Sequence, residues 1–186
     1  MKKREESSLS TLSLAILGLI SQRPLTGYDL RKVFATTPMG HFSSSPGAIY
    51  PALKRLEEAG WIRRVVTAGK TRRERVLYRG TAQGLKRLTQ HLSQPVTRDG
   101  VIWHLDDLML RFAFMDGVVG RERTVRFLQD FATQIDAHVA DLRRYFEGAK
   151  EILPTCGKLA MDNGIQSYEM NARWARQAAE ELQRGS

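Results

Sequence analysis

Apolar residues recur with a period near 3.6 along most of this chain, and that period gives way to a β-like pattern only between residues 61 and 79. Leu9, Leu12, Ile16, Leu19 and Ile20 fall on one helical face, thickened by Leu14 and Leu17, and predict a first helix that Arg23 and Pro24 end. Thr26-Gly27-Tyr28-Asp29 has capping-box spacing, with Asp where Glu is more usual, and opens a short second helix holding Leu30, Val33 and Phe34. Residues 36–40 close it. Ile49, Ala52, Leu53 and Leu56 follow i, i+3, i+4, i+7 spacing and predict a third helix, with Ser45 as N-cap, Pro46 at its first position and Gly60 as its stop. Its opposite side carries Gly47, Tyr50, Pro51, Lys54 and Glu58. Pro51 lacks an N–H and is expected to bend or restart the helix about one turn in.

After the stop, residues 61–67 and 75–79 are β-prone, and residues 68–71 supply a turn between them. Thr81 then caps a fourth helix containing Leu85, Leu88 and Leu92. Three helices followed by a two-stranded wing is the order of a winged helix-turn-helix, in which the third helix enters the major groove and the wing lies along the backbone or minor groove.

Residues 93–100, with Pro95, Asp99 and Gly100, read as a linker. From Ile102, the positions Leu105, Leu108, Met109, Phe112 and Met115 predict an amphipathic helix that Asp116-Gly117 ends. Val125, Leu128, Ala132, Ile135, Val139, Leu142, Phe146, Ala149 and Leu153 then alternate spacings of three and four, a heptad seam ending at Pro154, about 45 Å of helix by rise per residue. Met161, Ile165, Tyr168, Ala172, Ala175, Ala179 and Leu182 repeat the device. The fold class expected is therefore mainly α: residues 1–92 a winged helix-turn-helix, 93–100 a linker, 101–186 a bundle of long antiparallel helices. The two seamed helices could pack only on each other. Phe127, Phe131 and Tyr145 beside the first seam, with Trp174 and Ala178 beside the second, give more apolar width than one partner covers, which favours a homodimer through residues 101–186.

Charge divides the chain along the same line. Residues 1–90 hold 17 Lys plus Arg against 6 Asp plus Glu, a balance of +11, and residues 91–186 hold 12 against 14, a balance of −2. A nucleic-acid module joined to a module with another task fits that split. On the hairpin and its flanks Arg63, Arg64, Lys70, Arg72, Arg73 and Arg75 repel one another, so an anionic partner gains from them and a globular core does not. The single cysteine, Cys156, cannot form an intrachain disulfide and fits a reducing cytoplasm. The apolar run from residue 9 to 20 follows basic residues, but Glu5 and Glu6 interrupt the pattern of a signal peptide and the run is too short to cross a bilayer, so a cytoplasmic protein without membrane contact is expected. His41, His91, His104 and His138 form no metal-ligand pattern beyond His104 with Asp107 and His138 with Asp141 at i+3, and no nucleophile elbow, phosphate loop or dinucleotide fingerprint occurs. Neither an enzyme nor a cofactor or metal is expected.

The segments Leu14-Ala15-Ile16-Leu17-Gly18-Leu19-Ile20, Thr26-Gly27-Tyr28-Asp29-Leu30 and Gly47-Ala48-Ile49-Tyr50-Pro51-Ala52-Leu53-Lys54-Arg55-Leu56 resemble the PadR family of bacterial transcriptional regulators, and Tyr78-Arg79-Gly80-Thr81-Ala82-Gln83-Gly84 continues the match. The resemblance spans nearly all of residues 9–92. It implies a dimeric repressor, sometimes an activator, that binds a palindromic operator in double-stranded DNA and releases it when a small ligand occupies the helical part. In the longer-tailed subgroup it also implies a helical dimer module, and ligands such as phenolic acids or planar drugs.

For DNA reading the candidates are Ser44, Ser45, Gly47, Tyr50 and Lys54 on the exposed side and amino end of helix three, with Lys70, Arg72, Arg73 and Arg75 on phosphates or in the minor groove. Tyr50 has two readings, a base or phosphate contact or packing within the domain, and Tyr28 reads as packing. For a small aromatic ligand the candidate lining is Trp103, His104, Phe112, Tyr168 and Trp174, residues that at helical spacing are equally read as core. An alternative from another class is a helical adaptor whose basic hairpin binds anionic partners. A redox role for Cys156 is a third.

Overall fold

A computed structural model describes residues 9–37, 39, 45–67 and 75–184. The chain forms two compact units, residues 1–93 and 94–186.

In the first unit α1 (Thr11–Gln22) starts at Ser10, whose Oγ accepts from the Ser13 N–H at 3.3 Å. Every residue from 13 to 20 is buried, so α1 is wrapped on all sides rather than along a stripe, by α3, α4 and the second strand. Helix α2 (Gly27–Thr36) opens with the expected capping box: Thr26 Oγ1 accepts from the Asp29 N–H at 3.0 Å, and the Asp29 carboxylate accepts from the Thr26 N–H at 3.0 Å. Burial alone would raise the Asp29 pKa, but the Thr26 hydrogen bonds, with Arg75 and Arg23 nearby, hold it below the ordinary carboxylate value.

Helix α3 (Pro46–Glu58) continues through Pro51 without the restart that the sequence allowed. Pro51 sits one turn in, where the missing N–H removes a single bond to an exposed turn. Ile49, Ala52, Leu53 and Leu56 are buried as the spacing requires. Gly60, at φ +72°, ends the helix in a left-handed turn: its N–H donates to the Glu57 carbonyl and that of Trp61 to the Leu56 carbonyl, both at 2.9 Å. Strands β1 (Ile62–Thr67) and β2 (Arg75–Gly80) pair antiparallel, Ile62 opposite Gly80 and Thr67 opposite Arg75. Leu25 adds an isolated bridge to Tyr78, two bonds of 3.2 and 2.8 Å that the sequence reading did not foresee, and ties the α1–α2 connection to the wing. Helix α4 (Ala82–Leu92) is capped by Thr81 and buries Leu88 and Leu92, whereas Leu85 is 49% exposed.

The second unit departs from the sequence reading at its start. The segment read as a linker, 93–100, contains the buried Val96 and the first turn of α5 (Arg98–Trp103), capped by Thr97. The expected single helix from Ile102 is broken at His104 into α5 and α6 (Leu105–Val119), and α6 passes through Asp116-Gly117 to stop at Gly120, φ +83°. Helices α7 (Arg121–Ala149) and α8 (Thr155–Arg184) pack along one another. The ion pairs Asp136–Arg176 and Arg143–Glu169 advance seven residues in one helix while retreating seven in the other, so the pair is antiparallel. Helix α7 ends four residues before Leu153, the last position of the expected seam. Phe127 and Phe131 are buried within the unit, stacked at 6.3 Å between centroids, so they do not extend an uncovered apolar face as their sequence positions suggested.

Candidate nucleic-acid interface

The outward face of α3 carries the side chains whose spacing singled them out. Gly47, Tyr50, Pro51, Lys54 and Glu58 are all exposed, opposite the buried Ile49, Leu53 and Leu56. Ser45 caps the helix, its Oγ accepting from the Gly47 N–H at 3.2 Å. Lys54 Nζ lies 3.8 Å from Glu58 Oε1, with both side chains mostly in solvent, a pairing of about 0.3–0.5 kcal/mol that a phosphate readily displaces. Tyr50 is 51% exposed, and its ring edge lies over Gly27 at the start of α2. Ser44, Lys70, Arg72 and Arg73, and the turn at 68–71, lie outside the described residues.

On the wing, strand alternation puts Arg63, Val65 and Thr67 on one face with their partners Arg79, Leu77 and Arg75. Arg63 stands directly opposite Arg79, a like-charge pair that destabilises an isolated hairpin and that an anion would relieve. Arg79 was missed in the sequence, although a period of two from Arg75 identifies its face. Arg64 points to the other face and reaches Glu57 on α3 at 2.7 Å, joining wing and helix. Tyr28 corrects its sequence reading: it is 61% exposed, with the Arg31 guanidinium 5.5 Å from its ring centroid, and does not pack in the core.

Members of the aromatic candidate set of the second unit form two ring contacts. Phe112 and Trp174 meet edge to face at 5.2 Å, and Tyr168 meets His138 edge to face at 4.8 Å. Trp103 is 74% exposed and His104 is exposed, since the break between α5 and α6 falls there. Burial and the neighbouring Arg98 push the His138 pKa down, with Asp141 opposing. Arg111, unremarked in the sequence, is buried; its guanidinium donates to the Gln94 carbonyl and lies 5.1 Å over the Phe127 ring. No group of His, Cys, Asp and Glu among the described residues is arranged to hold a metal, and no helix among them is long and apolar enough to cross a membrane.

A buried three-helix core, a cationic two-stranded wing and an outward third helix define a winged helix-turn-helix DNA-binding protein. Residues 16–90 match the model of the transcriptional regulator PadR-like family, and residues 106–183 match that of the virulence activator alpha C-terminal region. Residues 16–90 thus carry a PadR-like domain, and the relatives that the chain matches are transcriptional regulators and not enzymes. It is 28% identical over 141 residues, 75% of each chain, to the negative transcriptional regulator PadR of Bacillus subtilis strain 168. Among solved structures it is similar to a PadR-like transcriptional regulator of Bacillus cereus, at 27% identity over 94% of this chain and 99% of that one, TM-score 0.41. It is also similar to Bacillus subtilis PadR solved in complex with operator DNA, at 25% identity over 93% and 99%, TM-score 0.42.

Proposed function

We propose that this chain is a homodimeric repressor that holds a palindromic operator through residues 1–92 and is released by a small aromatic ligand bound to residues 101–186. The observation that carries the DNA half of the reading is the outward face of α3, where Tyr50 and Lys54 stand exposed beside a wing whose Arg63 and Arg79 oppose each other. Ser45, Gly47 and Arg75 complete the described part of that surface, with Ser44, Lys70, Arg72 and Arg73 assigned to it from the sequence. The name of the Bacillus subtilis relative supports the negative sign of regulation. Exposed apolar side chains on the second unit, Tyr145, Leu159 and Met170, support self-association through it. The Phe112–Trp174 and Tyr168–His138 contacts supply the aromatic surface against which a flat ligand would pack, with Trp103 and His104 as the exposed members of that set.

Sedimentation of the protein alone and with an operator duplex, followed by titration with a panel of phenolic acids and planar cations, tests the three parts together. The reading expects a dimer at micromolar concentration, one dimer per duplex, and loss of the complex with at least one aromatic compound. A monomer that binds the duplex without sequence preference would replace it with the adaptor reading.

A further inference from the structure

We infer that Gly27 is a positioning residue for DNA reading: the absence of a side chain there sets where the Tyr50 ring stands on the outward face of α3. This rests on the proposal that Tyr50 reads the operator. A Cβ built on Gly27 would lie 2.7 Å from Tyr50 Cε1, 3.2 Å from its Cζ and 3.3 Å from its hydroxyl oxygen, against 3.4–4 Å for ordinary contact. Either the ring or the start of α2 must then yield. The start of α2 is held by reciprocal Thr26–Asp29 hydrogen bonds, including one of 2.7 Å from the Thr26 hydroxyl, and by the Leu25–Tyr78 bridge beside it. Tyr50, half in solvent and free to turn about two side-chain bonds, is the part that gives way.

Gly27 has no need of glycine for its own backbone. It occupies the first position of α2 without a positive φ, where alanine is at least as good a helix former. Gly84 provides the contrast inside the same unit: a Cβ there would come within 2.0 Å of the Trp61 carbonyl oxygen, a backbone atom that α3, β1 and Thr81 all hold. Gly84 is thus glycine for the fold, and Gly27 is glycine for the placement of one exposed ring.

The test uses the full-length protein and four forms: wild type, Gly27→Ala, Tyr50→Ala and the double variant. Each is titrated against the duplex selected from random DNA and against a scrambled duplex, with thermal unfolding alongside. Gly27→Ala should keep or raise the melting temperature, lose about tenfold in affinity for the selected duplex, and bind the scrambled one unchanged. In the Tyr50→Ala background it should cause no further loss. In the wild type without DNA, the Gly27 Hα protons should show nuclear Overhauser effects to the Tyr50 ring. Absence of those effects would overturn the contact independently of any DNA reading. With the contact present, selected-duplex affinity unchanged in Gly27→Ala but lost in Tyr50→Ala would overturn the positioning role alone. Wild-type affinity in Tyr50→Ala would overturn the reading of Tyr50 and the inference with it.

Discussion

The two units treat their cations differently. In the second unit Arg98, Arg126, Arg143, Arg144, Lys150, Arg176 and Arg184 each reach a carboxylate of the same unit, Arg143 and Arg176 across the α7–α8 seam. On the wing of the first, Arg63 faces Arg79 across the strands and Arg75 faces Thr67. A helical hairpin gains a little from closing its charges on itself, whereas cations placed opposite one another raise the free energy of the isolated fold and lower that of a complex with phosphates. Among the described residues of the first unit Arg64 and Lys54 also reach carboxylates, Glu57 and Glu58, so the contrast rests on Arg63 and Arg79, which face each other instead.

The largest effects should come from the cores, which the two units share as a feature. Phe34→Ala empties a fully buried site in the first unit and should remove about 3–5 kcal/mol of its stability, seen in thermal unfolding together with loss of DNA binding. Lys54→Ala should weaken binding to the selected operator by about 1–3 kcal/mol while leaving scrambled DNA nearly unaffected. Equal losses on both DNAs would remove Lys54 from base reading. The Arg72→Ala, Arg73→Ala double variant should weaken binding to every sequence and reduce the slope of log K against log salt by about 2, whereas Arg143→Ala with Arg176→Ala should leave that slope intact. A change of slope from the second pair would erase the contrast between the units. On stability, Arg143→Ala should remove only about 0.2–1 kcal/mol, because its pairing with Glu169 is exposed.

The smallest effect is in acid. Hydrogen bonding and charge from Arg98, with Arg144 beside it, hold the Asp141 carboxyl below its ordinary value. A depressed folded-state pKa contributes stability that is present above the unfolded value, about 4, and lost as pH falls through the lower folded value. Asp141→Asn should therefore differ from wild type at neutral pH and converge on it below about pH 4 in pH-dependent unfolding.

What the sequence made legible follows from how local the physics is. Burial at Ile49, Leu53 and Leu56, the Thr26–Asp29 cap and the α7–α8 seam depend on side chains three to seven residues apart, so periodicity finds them. Pro51 forces no restart because one lost hydrogen bond near a helix start is small beside the packing of the next two turns. The Leu25–Tyr78 bridge, the burial of Arg111 and the placement of Tyr50 over Gly27 each join residues more than fifteen positions apart, and nothing in local spacing encodes them. The break at His104, whose backbone lies at φ −135° and ψ 35°, was equally hidden, and it puts Trp103 on a different helix from Phe112.

Whether this protein reads base sequence through α3 is decided by selecting bound duplexes from a random pool. A winged-helix dimer reading through α3 should enrich a two-fold palindrome whose half-site centres are separated by about 34–36 Å or a multiple of it, with enrichment abolished in Tyr50→Ala combined with Lys54→Ala. Retention of DNA by charge alone, with no sequence enriched over the starting pool, would show that α3 does not read bases.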